Sequence, residues 1–164
     1  MVSALYRTPF VKKMLDGAHE LPLFWTDEMT AEPCKVRLDA LSEVNGQPII
    51  VDLKTTADAS TDGFMRSAVK YGYDFQAAMY SEGYEKNYGK KPLFVFIAVE
   101  KDLPFSVNIL QADEALLRRG YDLFRELIGT YNQCKKTGVW WGYLGPYNQI
   151  NNLALPSFLA KEIE

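Results

Sequence analysis

The sequence predicts an α/β domain in which a central mixed β-sheet is flanked by helices. Segments with helical spacing of apolar residues are interspersed with segments in which apolar residues recur at every second position. The dipeptide Asn45-Gly46 separates two of the alternating segments and is the strongest short signal for a β-hairpin. Apolar residues make up 48% and charged residues 24% of the 164 residues, which is typical of a globular protein. A layered α/β fold follows from this mixture of periods.

Three segments have apolar residues at helical spacing: 3–15, 63–87 and 113–136. Pro9 interrupts the first segment, so this helix is expected to break midway. Gly72 and Gly83 weaken the second segment and favour a kink or break there. Thr61 or Asp62 is the expected N-cap of that helix.

Five segments have the composition and period of β-strands: 20–25, 34–41, 48–54, 93–100 and 105–110. Every second residue of the second segment is predicted to share one buried face: Cys34, Val36, Leu38 and Ala40. Residues 140–164 show neither period and are expected to form an irregular tail. The length favours a single domain over 1–164.

Composition and charge exclude several classes of protein. The longest apolar runs are far shorter than the roughly 20 residues that cross a bilayer, and no signal peptide pattern begins the chain. Cys34 and Cys134 lie too far apart in sequence, with no neighbouring Cys or paired His, to indicate a disulfide framework or a zinc site. We therefore expect a cytoplasmic protein without a membrane partner. A net charge of −3 neither indicates nor excludes nucleic-acid binding.

The predicted hairpin brings two carboxylates together. If Asn45 and Gly46 are the two loop residues, opposed residues have numbers that sum to 91, which places Asp39 opposite Asp52. A slip by one residue would put these carboxylates on opposite faces and would also scramble the apolar side. The apolar alternation therefore supports the same pairing as the turn.

Two facing carboxylates repel each other and need a compensating cation. Arg37 and Lys54 are candidates, and so is a divalent metal, because carboxylate oxygens suit Mg²⁺ or Mn²⁺. Lys54 follows Asp52 by two residues, so both side chains share a strand face. A metal beside an ammonium group is what phosphodiester hydrolysis requires. The alternative is a solvated hairpin face with an ordinary salt bridge.

The spacing of these residues resembles a known nuclease superfamily. Asp39, the stretch Ile-Val-Asp-Leu-Lys-Thr-Thr at 50–56 and Gln-Ala-Ala-Met-Tyr at 76–80 resemble the aspartate, the Asp-x-Lys strand and the Gln-x-x-x-Tyr helix of the PD-(D/E)XK nucleases. The superfamily has a restriction-endonuclease-like core. More narrowly, residues 20–84 are similar to the nuclease domain of RecE-like exonuclease VIII proteins, and a weaker likeness continues through the last long helix.

The resemblance implies roles for the matched residues. Asp39 and Asp52 would bind the catalytic Mg²⁺, for which Mn²⁺ can substitute, with help from the carbonyl of Leu53. Lys54 would act beside the attacking water. Glu20 matches an earlier acidic residue of the family and would be a third catalytic and metal-binding carboxylate. Its rivals in sequence are the neighbouring acids and histidine: His19, Glu28 and Glu32.

Four further residues are candidates for contact with DNA. Gln76 and Tyr80 lie at i and i+4 on one helical face and, by the resemblance, would border the site, contact DNA or brace the lysine. Helix packing is the alternative for both. Lys35 and Arg37 are predicted on the same strand face as Asp39, where phosphate contact and charge compensation are equally open.

The resemblance also implies an activity and partners. RecE-like proteins degrade double-stranded DNA from its 5′ ends in phage or prophage recombination and pass the 3′ strand to a RecT-like single-strand annealing protein. They form homo-oligomers, usually rings, and usually carry a further helical segment ahead of the region matched here. The alternatives are an endonuclease or single-strand nuclease on the same core, and a non-catalytic DNA-binding or assembly subunit.

Overall fold

A computed structural model describes residues 2–145 and 150–154 of the chain. The chain divides into two compact units, 1–129 and 130–164. The expected single domain stays a prediction, and part of the expected irregular tail lies outside the described residues. None of the helices in the described part of the chain combines the length and apolar character needed to cross a membrane.

The first unit is built on a five-stranded sheet with strand order β1-β2-β3-β4-β5. The strands are β1 (Ala18–Thr26), β2 (Pro33–Val44), β3 (Gln47–Thr56), β4 (Leu93–Glu100) and β5 (Val107–Gln111). Neighbouring strands are antiparallel except β3 and β4, which are parallel. The sheet is therefore mixed, as the sequence predicts.

The helices follow the predicted segments closely. They are α1 (Val2–Tyr6), α2 (Pro9–Met14), α3 (Thr61–Tyr71), α4 (Tyr73–Tyr88) and α5 (Glu114–Thr137). The expected break of the first segment falls immediately before Pro9, which begins α2. The second unit begins within α5, and its residues 138–145 and 150–154 form no helix or strand. There the side chain of Asn151 donates a hydrogen bond of 2.6 Å to the carbonyl of Tyr143.

The predicted long helix at 63–87 is two helices because Gly72 adopts a left-handed conformation, with φ of 70°. Gly83 causes no break. A Cβ atom there would lie 2.7 Å from the ring of Trp25, so Gly83 allows α4 to lie close against β1. The prediction of the N-cap is wrong: Ser60 caps α3 by accepting a hydrogen bond of 3.1 Å from the N–H of Gly63.

Each face of the sheet carries its own apolar core. Helices α3, α4 and α5 cover one face, where the aromatic rings of Phe64, Phe94 and Phe96 pack together. Helices α1 and α2 cover the other face with Leu5, Val11 and Met14. Two covered faces explain why β3 and β4 are apolar on both sides rather than strictly alternating.

Strand β2 changes face in the middle. Leu38 packs in the core under α3, α4 and α5, whereas Ala40 packs in the core under α1 and α2. Residues two apart in a regular strand share a face, so the strand turns over at Asp39. The prediction that Cys34, Val36, Leu38 and Ala40 form one face is therefore wrong for Ala40.

A buried ion-pair network ties α5 to the edge of the sheet. Arg125 contacts the carboxylate of Asp27 and lies 3.3 Å from Glu82, which also accepts a hydrogen bond of 3.3 Å from the indole of Trp25. Burial favours the neutral form of Asp27, but hydrogen bonds from Thr30 and Arg125 outweigh it and lower the pKa of this carboxyl group. The charges of the network are therefore compensated inside the protein.

Removal of Arg125 is expected to destabilise the fold strongly, because it leaves buried carboxylates without their cation. We expect Arg125→Ala to lower the free energy of unfolding by about 3 kcal/mol or more. Arg118→Ala on the same helix is the matched control, since its pair with Asp122 is exposed and should be worth under about 1 kcal/mol. Urea unfolding measures both variants, and equal losses would contradict this account of the network.

Candidate active site

The hairpin of β2 and β3 has the predicted register. The paired residues run from Val44 and Gln47 to Ala40 and Val51, so their numbers sum to 91 throughout. Asn45 and Gly46 have φ angles of 54° and 79°, the left-handed conformations of a tight hairpin turn. The paired ladder ends at Ala40 and Val51, one residue before the two aspartates. The candidate site therefore lies where β2 separates from β3.

Asp52 is the buried centre of this site, with only 1% of its surface exposed. Its Oδ1 accepts a hydrogen bond of 2.8 Å from Nε2 of Gln76. Its Oδ2 contacts the ammonium of Lys54 but accepts no directed hydrogen bond from the part of the chain that the structure describes. Burial raises the pKa of Asp52, while the contact with Lys54 counteracts this effect.

Lys54 lies between Asp52 and an aromatic ring. Its Nζ is 4.9 Å from the ring centroid of Tyr73, the first residue of α4. Burial and the nearby charge of Asp52 raise the pKa of Tyr73. The tyrosine therefore stays neutral and presents its ring face to the ammonium of Lys54. The contact places Tyr73, rather than Tyr80, against the lysine.

Tyr73 was not among the predicted site residues. It precedes Gln76 by three residues, so the two share one face of α4 and both point to β3. This three-residue spacing from Gln76 is the sequence signal that could have identified Tyr73 as a site residue. It is hidden in the sequence because an aromatic residue at helical spacing usually belongs to the core, and the Tyr73 ring does also pack against Phe64 and Phe96.

Asp39 is half-buried and lies beside Asp52. Its Oδ2 accepts a hydrogen bond of 3.1 Å from the backbone N–H of Leu53. After burial, which is the main cause, electrostatic repulsion by Asp39 also raises the pKa of Asp52. The structure therefore brings together five of the predicted residues: Asp39, Asp52, Leu53, Lys54 and Gln76.

Glu20 lies at an irregular point of β1. Its φ of 52° is a left-handed conformation that costs a non-glycine residue free energy. Its carboxylate forms an ion pair of 2.8 Å with Arg37, and both side chains are more than half exposed. The described residues contain no group of three or more Asp, Glu, His or Cys side chains arranged to hold one metal ion. In this conformation Glu20 does not join Asp39 and Asp52.

The remaining candidates lie away from the buried carboxylate. Arg37 pairs with Glu20. Lys35 is exposed and, like Arg37, alternates with residues whose side chains enter the core under α4, so both project from the opposite strand face to Asp52. Tyr80 packs edge-on against Phe94, with ring centroids 6.3 Å apart. The surroundings of Tyr80 are those of helix packing.

The burial of Asp52 predicts a dependence of stability on pH. Because its pKa in the folded protein is raised above the ordinary value of 3.8, the folded state binds a proton more tightly than the unfolded state. The contribution of Asp52 to the free energy of unfolding is fully present below pH 3.8 and is lost as the pH rises through the pKa of the folded state. The side chain of Asp52→Asn cannot titrate. We therefore expect its free energy of unfolding to increase relative to that of the natural protein as the pH rises through this range.

Urea unfolding in EDTA at a series of pH values measures this difference, whose slope is at most about 1.4 kcal/mol per pH unit. Asp102→Asn removes an exposed carboxyl group and is the control. A difference between Asp52→Asn and the natural protein that stays constant above pH 3.8 would contradict the raised pKa.

The donor set fits a divalent cation. Oδ2 of Asp52 is a buried carboxylate oxygen that contacts the ammonium of Lys54 and, among the described residues, accepts no directed hydrogen bond. Asp39 supplies a second carboxylate beside it. Hard oxygen donors of this kind are the ligands that Mg²⁺ and Mn²⁺ prefer. Asp39 and Asp52 are thus the residues that would hold such an ion.

Comparison with known families agrees with the geometry. The model of a family described as a PDDEXK-like domain of unknown function, DUF3799, matches residues 1–151. The chain belongs to this family. Its mixed sheet flanked by helices is the PD-(D/E)XK nuclease core that the DUF3799 description implies. No curated protein sequence matches the chain.

The structure of a proposed exonuclease shows the same fold. The DUF3799 chain aligns with the crystal structure of a proposed exonuclease from Eubacterium rectale at a TM-score of 0.70 and 20% identity, over 97% of this chain and 62% of that one. The chain thus spans less than two thirds of that protein. The protein SSO0001 aligns at a TM-score of 0.45 and 15% identity, over 77% of this chain and 58% of the other.

Proposed function

We propose that this chain is a Mg²⁺-dependent deoxyribonuclease. The observation that carries the proposal is the buried carboxylate of Asp52, which lies against the ammonium of Lys54 and beside the carboxylate of Asp39. A buried acid with a raised pKa and a specific charged partner is typical of a catalytic site. Membership of a PDDEXK-like family supports the same chemistry.

Each residue of the site has a defined role in this proposal. Asp39 and Asp52 hold the cation, and the resemblance to RecE-like proteins adds the carbonyl of Leu53. A bound divalent cation supplies water activation and polarisation of the phosphate. Lys54 lies beside the attacking water and stabilises the negative charge that develops on the phosphate. Gln76 orients Asp52 through its hydrogen bond.

Tyr73 holds Lys54 in place. Its neutral ring, 4.9 Å from Nζ, attracts the ammonium group of Lys54 and holds it where the phosphate would bind. A flexible lysine side chain loses rotamer freedom when it is ordered, and this contact helps to offset that loss before substrate arrives. Tyr73 is therefore a positioning residue in the proposed mechanism.

The finer proposal is a 5′-to-3′ exonuclease on double-stranded DNA of the RecE-like exonuclease VIII kind. The sequence resemblance supports it, and the matched Eubacterium rectale protein is described as a proposed exonuclease. The same proposal includes a cytoplasmic role in phage or prophage recombination, a homo-oligomer and a RecT-like annealing partner. Lys35 and Arg37 remain proposed DNA contacts on the exposed face of β2.

The test is digestion of linear duplex DNA labelled at either the 5′ or the 3′ end, with Mg²⁺. We expect rapid release of the 5′ label, retention of the 3′ label in long strands, no cleavage of closed circular duplex and no reaction in EDTA. Cleavage of circles would indicate an endonuclease, and digestion of single strands alone a single-strand nuclease. Binding of DNA without cleavage of any substrate would contradict the nuclease proposal and indicate a DNA-binding subunit.

A further inference from the structure

A row of aromatic and cationic groups leads from the proposed active site to the protein surface. Lys54 lies against the ring of Tyr73, and the ring of Tyr71 lies next, with centroids 5.9 Å apart and a tilt of 34°. Nζ of Lys70 is 5.2 Å from the centroid of Tyr71. The row ends in solvent, so Tyr71 is the outermost ring beside the site.

Packing of the core does not explain the position of Tyr71. Tyr71 is the last residue of α3 and directly precedes the left-handed Gly72. The residue is 61% exposed. Tyr73 closes the core by its contacts with Phe64 and Phe96. Among the rings that the structure describes, Tyr71 contacts this cluster through Tyr73 alone. The aromatic face of Tyr71 is therefore exposed to solvent, and the ring of Tyr73 lies between it and Lys54.

The charge around this ring favours a polyanion. Lys70 lies over Tyr71 in the last turn of α3, and Arg66 lies one turn earlier on the same helix. At this end, Asp74 in the first turn of α4 is buried and paired with Arg119. The acids of α3 and of the loop before it lie toward the other end of α3, where Asp62 is in the first turn and Asp58 interacts with Arg66. The end of α3 near the site is therefore cationic and aromatic.

We propose that Tyr71 stacks on an unpaired nucleobase next to the phosphate that is cut, while Lys70 contacts the adjoining backbone. The inference rests on the proposed nuclease function and adds a substrate feature to it. Aromatic side chains bind single strands by stacking on base faces, and a base that is paired within a duplex offers no free face. The strand being cut is therefore unpaired at this position, as in a frayed end or a single strand.

The chain offers a matched control for Tyr71. Tyr88 is also the last residue of its helix, precedes the left-handed Gly89, is 50% exposed and stacks on another tyrosine, Tyr84, at 4.6 Å. It has no contact with the described residues of the proposed site. Tyr88→Ala thus removes an equivalent ring from the surface without touching the row that leads to Lys54.

The experiment titrates a short single-stranded DNA containing 2-aminopurine with protein in EDTA, so that no cleavage occurs. We expect the natural protein to quench the fluorescence of 2-aminopurine by stacking. Tyr71→Ala should bind the strand roughly 5- to 100-fold more weakly and lose the quenching, because stacking contributes this range per base. Tyr71→Phe, which keeps the aromatic face, and Tyr88→Ala should behave like the natural protein.

Three results would overturn the inference: natural protein that does not bind the strand, Tyr71→Ala that binds and quenches normally, or the same loss in Tyr88→Ala. Far-UV circular dichroism checks that each variant is folded. Digestion of labelled duplex by the natural protein with Mg²⁺, measured separately, tests the proposed function independently of this inference. If quenching depends on Tyr71 while the natural protein cuts no DNA, the nuclease proposal fails and the stacking site stands.

Discussion

Lys54→Ala is expected to reduce the rate of DNA cleavage on the order of 10³-fold, the effect of removing a group that stabilises charge at the reacting phosphate. The substitution removes the ammonium that contacts Asp52 and lies on the ring of Tyr73. Steady-state digestion of labelled duplex with Mg²⁺ measures the loss. Lys12→Ala, an exposed lysine on α2 at the other face of the sheet, should cut at the normal rate.

The pH dependence of this variant separates two roles of Lys54. The ammonium counteracts the raised pKa of Asp52, so its removal favours the protonated acid, which binds a cation poorly. If Lys54 only kept Asp52 ionised, higher pH would restore cleavage by Lys54→Ala. Because we assign Lys54 to the phosphate and the attacking water, we expect no recovery up to pH 9. Full recovery would contradict that assignment.

Asp52→Asn is expected to abolish both cleavage and stabilisation of the protein by Mg²⁺. The amide keeps the shape of the side chain but replaces the charged Oδ2 or Oδ1 by an NH₂ group, which cannot bind a cation. In the natural protein, Mg²⁺ at a hundred times its dissociation constant should raise the free energy of unfolding by about 2.7 kcal/mol. The variant should show no such increase in thermal or urea unfolding.

The exposed Asp102→Asn is the control and should retain the response to Mg²⁺. Asp39→Asn should weaken the response, since Asp39 supplies the second carboxylate. An unchanged response of Asp52→Asn to Mg²⁺ would mean that the cation binds elsewhere, and it would remove the basis of the proposed mechanism.

The hairpin was predictable because two independent signals agree. Asn45-Gly46 fixes a two-residue turn, and the apolar residues of β3 fix the same register, which the structure confirms from 40 to 44. The proximity of Asp39 to Asp52 and of Lys54 to Asp52 follows from that register and from the period of a strand. These relations are local, and so the sequence determines them.

The remaining features of the site depend on tertiary packing. Strand β2 turns over at Asp39, and Glu20 adopts its left-handed conformation where β1 lies against that turn. No residue type in the sequence marks either irregularity. The contact of Tyr73 with Lys54 depends on how α4 docks on β3, which a pattern of apolar residues does not specify. The sequence pattern therefore predicts the acids and the lysine but not Tyr73, which orients the lysine.

The central claim is that Asp39 and Asp52 together bind a divalent cation, with Lys54 alongside. The most direct measurement is a crystal structure of the protein soaked in Mn²⁺, with the ion located by its anomalous scattering. We predict a single strong peak within about 2.2 Å of a carboxylate oxygen of both aspartates, at the distance of carboxylate ligands to small divalent ions. A structure at saturating Mn²⁺ with no peak there, or with Asp52 still bound only by Lys54 and Gln76, would contradict the claim.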